Sequence, residues 1–488
     1  PGKPEFNYLR DADYISGASI MMPLKVWRQL GGFSIEFAPA YYEDTDFAMK
    51  VRAAGLRVLY QPLSRVVHHE GVTSGTDITS GVKRYQEVNK STFLAKWQGV
   101  LTKHGKNADF RKSIVDRHAV GRILIFDAET PTPDKDSGSV TAFNYMRILS
   151  KLGYRVTFVP QNLLWCGRYS TDLQRMGVEV IHRPYATNSR DYLLTQAHDH
   201  DMIMLSRAPI GGKHIDDVRA AYPGKPIIFD TVDLHHLRVQ RQYELEQRPE
   251  LLDQANELKE IELNAIRKAD NTILVSDYEV GYLEQQIGPF PHTIIPLIYE
   301  DYQPRNGFQD RRDFAFVGGY RHPPNVDAVN YLINEIWPRF RAFNTGAKLH
   351  IIGSHMPKEF EALACDDIIV TGFVADLEAY MENIRVSLAP LRYGAGVKGK
   401  VGNSLRMGVP VVATPVATEG MGLLDGEHIL VGGNANEFAK KMLDVYSERE
   451  VWRKFSHRGQ KQVCESYGLA AAEDRLTGLI AKLFKMSS

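Results

Sequence analysis

The sequence predicts an α/β chain with two doubly wound, Rossmann-like domains in series. Three observations carry that expectation. Short apolar, β-rich runs alternate with helical stretches from about residue 121. The runs fall into two successive series. A polar stretch carrying Pro and Gly, YEDYQPRNGFQDRR (299–312), separates them. Runs that are apolar throughout, rather than alternating, read as parallel strands buried on both faces.

The first series is RILIFDA (122–128), RVTFVP (155–160), DMIMLS (201–206), PIIFDTVD (226–233) and NTILVSD (271–277). The second is DFAFVGG (313–319), KLHIIGS (348–354), DIIVTG (367–372), VSLAPL (386–391) and PVVATP (410–415). Residues 1–105 read differently. They offer few strands, a glycine pair GGF (31–33), an acidic cluster and a helical tail near 81–104. In YYEDTDFAMKVRAAG (41–55) the carboxylates Glu43, Asp44 and Asp46 sit where a helix begins, and Gly55 is its expected stop. Carboxylates there complement the helix dipole, so their position alone assigns no chemistry.

Composition narrows the function classes. The 488 residues allow two or three domains, and 43% hydrophobic with 24% charged residues is an ordinary globular balance. Lys plus Arg equal Asp plus Glu, 59 each, so bulk charge gives no argument for nucleic acid. The three cysteines, Cys166, Cys365 and Cys464, are far apart and form neither a metal cluster nor a disulfide framework, which fits a reducing, cytoplasmic setting. No run approaches the ~18 apolar residues of a membrane span. The opening PGKPEF reads as a truncation point.

Doubly wound domains bind ligands at the carboxyl ends of their strands, where helix N-termini present unpaired amides. Three stretches of the second series fit. FVGGYRHPPNVDAVNYL (316–332) offers Gly318 and Gly319 for close phosphate approach and Arg321 for charge. YGAGVKGKVGNSLRMG (393–408) is a glycine-rich loop with Lys398 and Lys400, then a helix opening at Asn403–Ser404. PVVATPVATEGMG (410–422) places Glu419 to accept ribose hydroxyl protons.

With these motifs and FDTVDLHHLR (229–238), residues 121–488 resemble the family 4 glycosyltransferases. The resemblance implies a GT-B fold, retaining transfer without a metal, a nucleotide-diphospho-sugar donor on the C-terminal half and an acceptor mostly on the N-terminal half. It implies that Gly138, in DSGSVTAF (136–143), faces the cleft, and that His235 faces the reacting sugar, with His236 its competitor. It implies that Ala417 and Thr418 hold the diphosphate through their backbone, beside Glu419 and Gly420. The sequence departs from the family at the two glutamates spaced seven apart, which become Ala395 and Asn403. The usual Arg and Lys after the first C-terminal strand fall at Gly319 and Asn325. Arg321, Lys398 and Lys400 are the expected replacements for that charge.

GASIMM, GGF, YYEDTDF, RAAGLRVLYQP and VVHHEG (within 16–71) are similar to the second half of family 2 glycosyltransferases, inverting GT-A enzymes. That resemblance implies Asp44 as general base, with Glu43 beside it. His68 or His69 could reach a divalent metal, which is expected only for an intact GT-A domain. The donor half of such a domain is not expected here. The expected division is therefore a truncated GT-A part (1–105), a linker (106–120), a GT-B N-terminal domain (121–298), a GT-B C-terminal domain (312–465) and a final helix (466–488). In RLTGLIAKLFKMSS (475–488) the residues Leu476, Leu479, Ile480 and Leu483 share one face. They suit either packing back on the N-terminal half or peripheral membrane contact.

The function expected is transfer of a hexose or deoxyhexose to a glycan or lipid-linked glycan in bacterial surface polysaccharide synthesis, of O-antigen or capsule type, at the inner face of the membrane. No nucleic-acid partner is expected. A non-catalytic nucleotide-sugar or glycan-binding scaffold and a GT-B-fold sugar-nucleotide epimerase are the alternatives.

Overall fold

The computed structural model describes residues 2–67, 81–105 and 112–487. Two parallel sheets dominate it. The first holds β3 (Arg122–Asp127), β4 (Arg155–Pro160), β5 (Val178–Val180), β6 (Met202–Ser206), β7 (Ile227–Asp230), β8 (Asn271–Leu274) and β9 (His292–Ile294), in the order β5-β4-β3-β6-β7-β8-β9. The second holds β10 (Arg312–Val317), β11 (Leu349–Ile352), β12 (Ile368–Gly372), β13 (Ile384–Ala389), β14 (Val411–Ala413) and β15 (Leu430–Val431), in the order β12-β11-β10-β13-β14-β15. Every pairing within both sheets is parallel. In each sheet the strand order reverses once, between β3 and β6 and between β10 and β13. Those switch points are where a doubly wound sheet opens a crevice.

The apolar runs become strands because helices cover both faces. Leu124, Phe126, Ile203 and Phe229 are buried on one face of the first sheet, and Ile123, Ile125, Val156 and Ile228 on the other. The final helix, Leu469–Ser487, completes the second of these layers. Its Leu476, Leu479, Ile480 and Leu483 are buried against Ile123, Tyr145 and their neighbours. Burying such side chains contributes about 1.5–3 kcal/mol each before entropy is counted. The apolar stripe is thereby consumed in the core, which removes it as a membrane-facing surface. The preceding helix, Arg449–Tyr467, buries Trp452, Phe455 and Val463 in the C-terminal core. The chain thus crosses between domains at Tyr467–Gly468, beside its first crossing at Tyr299, whose amide donates to Tyr467 O at 2.8 Å.

Residues 2–67 and 81–105 form a small, mostly helical module. Its strands are two residues long, β1 (Arg10–Asp11) pairing antiparallel with β2 (Leu59–Tyr60). Helices Glu43–Ala53 and Tyr85–Leu101 pack through Phe37, Met49 and Phe93. The module leans on the β5 side of the first sheet. Leu9 N donates to Gln174 O at 2.9 Å, and the Arg155 guanidinium lies 5.2 Å from the Tyr8 ring centroid. Among the described residues no helix is long and apolar enough to cross a membrane.

Candidate functional site

At the N-terminal switch point Asp127 closes β3 and Arg207 follows β6. Arg207 Nε donates to Asp127 Oδ1 at 2.8 Å, and this carboxylate raises the guanidinium's pKa above its ordinary value. Asp230 closes β7. Its burial, with Asp127 nearby, pushes its carboxyl up to about 7. Gly138 opens against this group: a Cβ there would lie 3.3 Å from Arg207 Nη2 and 3.7 Å from Val232. Asp136 caps the helix Ser137–Lys151 by accepting from Ser139 N at 2.8 Å.

After β7 the chain turns through Val232, in the left-handed region at φ 65°, into the helix His235–Glu246. Two buried carboxylates brace this turn. Glu262 accepts from the amides of His235 and His236 at 3.1 and 3.3 Å, and Glu279 accepts from Leu234 N at 3.4 Å. Burial raises Glu279 to about 8, with Asp233 adding to the shift. The two histidines part here. His236 is fully occupied, with Nδ1 2.5 Å from Glu262 Oε2 and Nε2 3.0 Å from the Tyr282 hydroxyl. His235 meets Asp233 through Nδ1, 3.0 Å from its carbonyl and 3.2 Å from Oδ1. Its Nε2 has no hydrogen-bond partner among the described residues. Asp233 also pairs with Arg238, and despite its burial its carboxyl is held well below the ordinary range by Arg238 and His235.

On the C-terminal side Gly318 and Gly319 follow β10. A Cβ on Gly318 would press on Phe316 and Asn325 at 3.0–3.1 Å, so close packing requires glycine there. Asn325 donates Nδ2 to Gly319 O at 2.8 Å and accepts from Lys400 Nζ with Oδ1. Lys400 thus brings its ammonium to the side chain of Asn325, where it also lies 4.4 Å from the Phe316 ring centroid. Lys398 Nζ donates to Ala395 O at 2.8 Å and Gly396 O at 2.5 Å. Burial lowers both lysines, Lys398 to about 8 and Lys400 to about 7, the latter also through repulsion from Lys398. Arg321 is exposed on the loop. Its neighbour His322 is pushed down to about 4 by its crowded surroundings and by Arg238, Lys400 and Lys398.

Several expected donor-binding residues are engaged elsewhere. Ser404 is buried, and its hydroxyl donates to Ser387 Oγ on β13 at 2.9 Å; it anchors the helix Gly399–Arg406 to the sheet. Asn403 Oδ1 accepts from Arg406 Nε and Nη2 at 3.1 and 2.9 Å, so its oxygen is turned to that guanidinium rather than offered to a ribose. Ala417 is fully buried and its amide donates to Thr414 O at 3.0 Å, which takes that amide away from a diphosphate. Thr418 Oγ1 donates to Pro415 O at 3.0 Å. Glu419 is held by Arg241 of the opposite domain through bonds of 2.7 and 3.0 Å.

The domains meet on glycines. A Cβ on Gly396 would lie 3.0 Å from Asp233 Cβ, one on Gly399 1.7 Å from Ser137 Oγ, and one on Gly420 2.6 Å from Ser276. Gly420 also has φ 72°. The N-termini of Ser137–Lys151 and Gly399–Arg406 therefore converge from opposite domains. With Lys398 and Lys400 beside them, they make a place where negative charge is favoured. Arg207, Asp233, Glu262, Glu279, Arg241 and His322 were not singled out by sequence reasoning. Asp233 and Arg238 lay inside the motif FDTVDLHHLR, but Glu262 and Arg241 stand in ordinary charged helical sequence with no local signal.

In the N-terminal module the three carboxylates take different roles. Asp46 is fully buried, 2.6 Å from Ser34 Oγ, 2.8 Å from Trp97 Nε1 and 2.8 Å from Lys96 Nζ. Asp44 accepts from Gly17 N at 2.8 Å and from Thr45 N at 2.6 Å. Glu43 keeps a buried oxygen, Oε2, without a partner, and burial raises its pKa. His68 and His69 lie outside the described residues. Among the described residues no group of three or more His, Cys, Asp or Glu is placed to hold a metal ion.

Comparison with known proteins adds three findings. Residues 311–448 match the family model described as "Glycosyl transferases group 1". An uncharacterized 44.6 kDa protein in the cps region of Klebsiella pneumoniae is 26% identical over 161 residues, which is 31% of this chain and 42% of that protein. Among solved structures, sucrose-phosphate synthase from Thermosynechococcus elongatus is similar with a TM-score of 0.59 at 14% identity, covering 75% of this chain and 99% of that one. TarM gives 0.59 at 9% identity over 77% of this chain and 100% of that one. Anabaena HepE in complex with UDP gives 0.56 at 13% identity over 74% and 100%. At these identities the likeness is one of fold, the GT-B arrangement of two Rossmann-like domains. The matched domain and that fold together support a transferase enzyme of the glycosyltransferase class.

Proposed function

We propose that the chain transfers a sugar from a nucleotide-diphospho-sugar, held on the C-terminal domain, to a glycan acceptor held on the N-terminal domain, with retention of anomeric configuration. One observation carries the reading. Lys398 and Lys400 flank the start of a helix that abuts the N-terminal domain at Ser137, while the neighbouring Gly396 abuts Asp233, the residue His235 bonds to. The leaving diphosphate gathers negative charge as the glycosidic bond breaks, and fixed cations and amide dipoles in a crowded cleft stabilise it. In this reading His235 Nε2, without a hydrogen-bond partner among the described residues, bonds the donor sugar. The positive charge needed is supplied by side chains, so this reading assigns no metal to the GT-B half. The UDP-bound HepE neighbour supports a uridine nucleotide as the first donor to try. The cps-region relative supports capsule-type polysaccharide as the product.

The test is turnover of UDP-sugars by the purified full chain, with and without lipid-linked glycans. Lys400→Ala is expected to lower turnover by about 10²–10³, the usual effect of removing one such group. Unchanged turnover would remove Lys400 from the phosphate site. Ala395, and Asn403 held by Arg406, favour a second reading, a non-catalytic nucleotide-sugar-binding scaffold. Binding of the nucleotide-sugar without turnover on any acceptor would select it.

A further inference from the structure

A second polar cavity lies on the N-terminal domain, beyond the ends of β4 and β5, with a volume of about 360 Å³. Its lining includes Gln161, Arg183, Asn188, Arg190, Lys213 and His214. Three cations line it and no carboxylate does. Arg190 is neutralised by Asp217, at 3.1 and 2.8 Å. Arg183 and Lys213 have no ion pair among the described residues. His214 is nine-tenths buried, and its ring makes no hydrogen bond among the described residues; Asp217 Oδ2 approaches Nδ1 only to 3.9 Å. Its other charged neighbours are Lys213 and Arg190. Burial and these cations hold the imidazole below its ordinary pKa. The helix Ser189–Gln196, capped by Asn188, starts at the rim and adds the positive end of its dipole.

We propose that this cavity is an anion subsite for the acceptor, taking a phosphate-type oxyanion carried by the glycan. The proposal rests on the transferase reading above and deepens it. His214 packs edge-on against Phe126, 5.8 Å between ring centroids, and Phe126 precedes Asp127 at the switch point. The cavity therefore borders the crevice on its acceptor side. Arg183 and Lys213 reach this opening from the surface without an ion pair among the described residues, and an oxyanion there would gain both cations together with a hydrogen bond from the imidazole. Gln161, Thr187, Asn188 and Ser189 can meet sugar hydroxyls, while the three cations, with no carboxylate in the lining, favour an anionic group beside them. The volume leaves room for part of a sugar beside the anion.

The probes are glucose 1-phosphate and glucuronate, titrated separately into the full chain. The His214 imidazole resonance is followed by NMR and assigned by its loss in His214→Gln. Glucose 1-phosphate is expected to raise the His214 pKa and to bind about five- to ten-fold more weakly to an Arg183→Ala/Lys213→Ala double variant. Tighter binding of glucuronate than of glucose 1-phosphate overturns the phosphate assignment. A His214 resonance indifferent to both probes overturns the subsite. UDP-sugar hydrolysis to water separates this from the transferase reading. The double variant should hydrolyse donor like the wild type, and a wild type that neither hydrolyses nor transfers any donor counts against the transferase reading instead.

Discussion

Arg241 of the N-terminal domain holds Glu419 of the C-terminal domain in a two-point ion pair, and the same guanidinium donates to Gly394 O at 2.6 Å. Glu419 is also the carboxylate that the sequence leads one to expect at the donor's ribose. On the proposed function, domain contact and donor binding draw on one carboxylate, from opposite sides of the crevice.

That shared carboxylate separates two variants. Arg241→Ala removes charge-assisted hydrogen bonds of about 1.5–3 kcal/mol each from the domain contact. It should enlarge the radius of gyration measured by small-angle scattering and lower transfer by about ten-fold or more, while donor affinity holds or improves. Glu419→Ala should instead weaken donor affinity. An Arg241→Ala protein with unchanged dimensions and unchanged turnover would show that the pair does not hold the domains together.

Lys400 makes donor binding depend on pH. Its pKa is lowered to about 7 in the fold, against about 10.4 in an unfolded chain. Between those values the unfolded chain binds a proton that the folded chain has released, so stability rises with pH across that window. The destabilisation from burying this cation is complete below about 7. Binding runs the other way, because a diphosphate favours the charged lysine. Donor affinity should fall as pH rises through about 7–8, and binding near pH 7.5 should take up a proton. Calorimetry in two buffers of different ionisation enthalpy measures that uptake. The same uptake in Lys400→Met would assign the proton to another group.

Glu262 holds the turn that carries His235. Despite its burial, hydrogen bonds from His235 and His236 keep its pKa below the ordinary value. Glu262→Ala leaves two buried amides and the His236 ring without their acceptor and should cost about 2–4 kcal/mol in thermal or urea unfolding. Glu262→Gln keeps one acceptor oxygen and should fold better. It should still lower kcat more than it changes donor KM, because His235 loses its orientation. Wild-type kcat in the Gln variant would make Glu262 a stability residue alone.

In the N-terminal module Asp46 and Asp44 should behave differently. Burial alone would raise Asp46, but hydrogen bonds from Lys96, Ser34 and Trp97 pull it below its ordinary pKa. Its contribution to stability is therefore present above about pH 4 and lost as pH falls through its folded value. Asp46→Ala should destabilise this module by about 2–4 kcal/mol, seen as earlier loss of amide-exchange protection in residues 24–53 and 85–101. Asp44→Asn should leave transfer by the GT-B part unchanged. If it silences transfer, the module is coupled to the cleft.

Ten strands of the two sheets were legible as apolar runs because their residues are buried on both faces. Val178–Val180, His292–Ile294 and Leu430–Val431 were not, since two or three residues are too few to show a pattern. Residues lining the crevice stand out in the sequence where charge or glycine is local, as at Lys398, Lys400, Gly138 and Gly420. Local pattern gave no sign that the Ser404 hydroxyl bonds Ser387 or that the Asn403 oxygen faces Arg406. A residue's type and its place after a strand do not say which neighbour its side chain meets.

The sequence by itself determined two doubly wound domains, the glycine-rich loop with its lysines, and a final amphipathic helix. These follow from local periodicity and backbone preference, which a linear pattern carries. The tertiary structure alone decided that the helix is buried on the N-terminal sheet, that Lys400 meets Asn325, that His236 rather than His235 is fully bonded, and that Arg241 grips Glu419. Each of these joins residues 26 or more positions apart. Such contacts depend on how the helices and sheets pack together, and packing leaves no trace in the order of neighbouring residues.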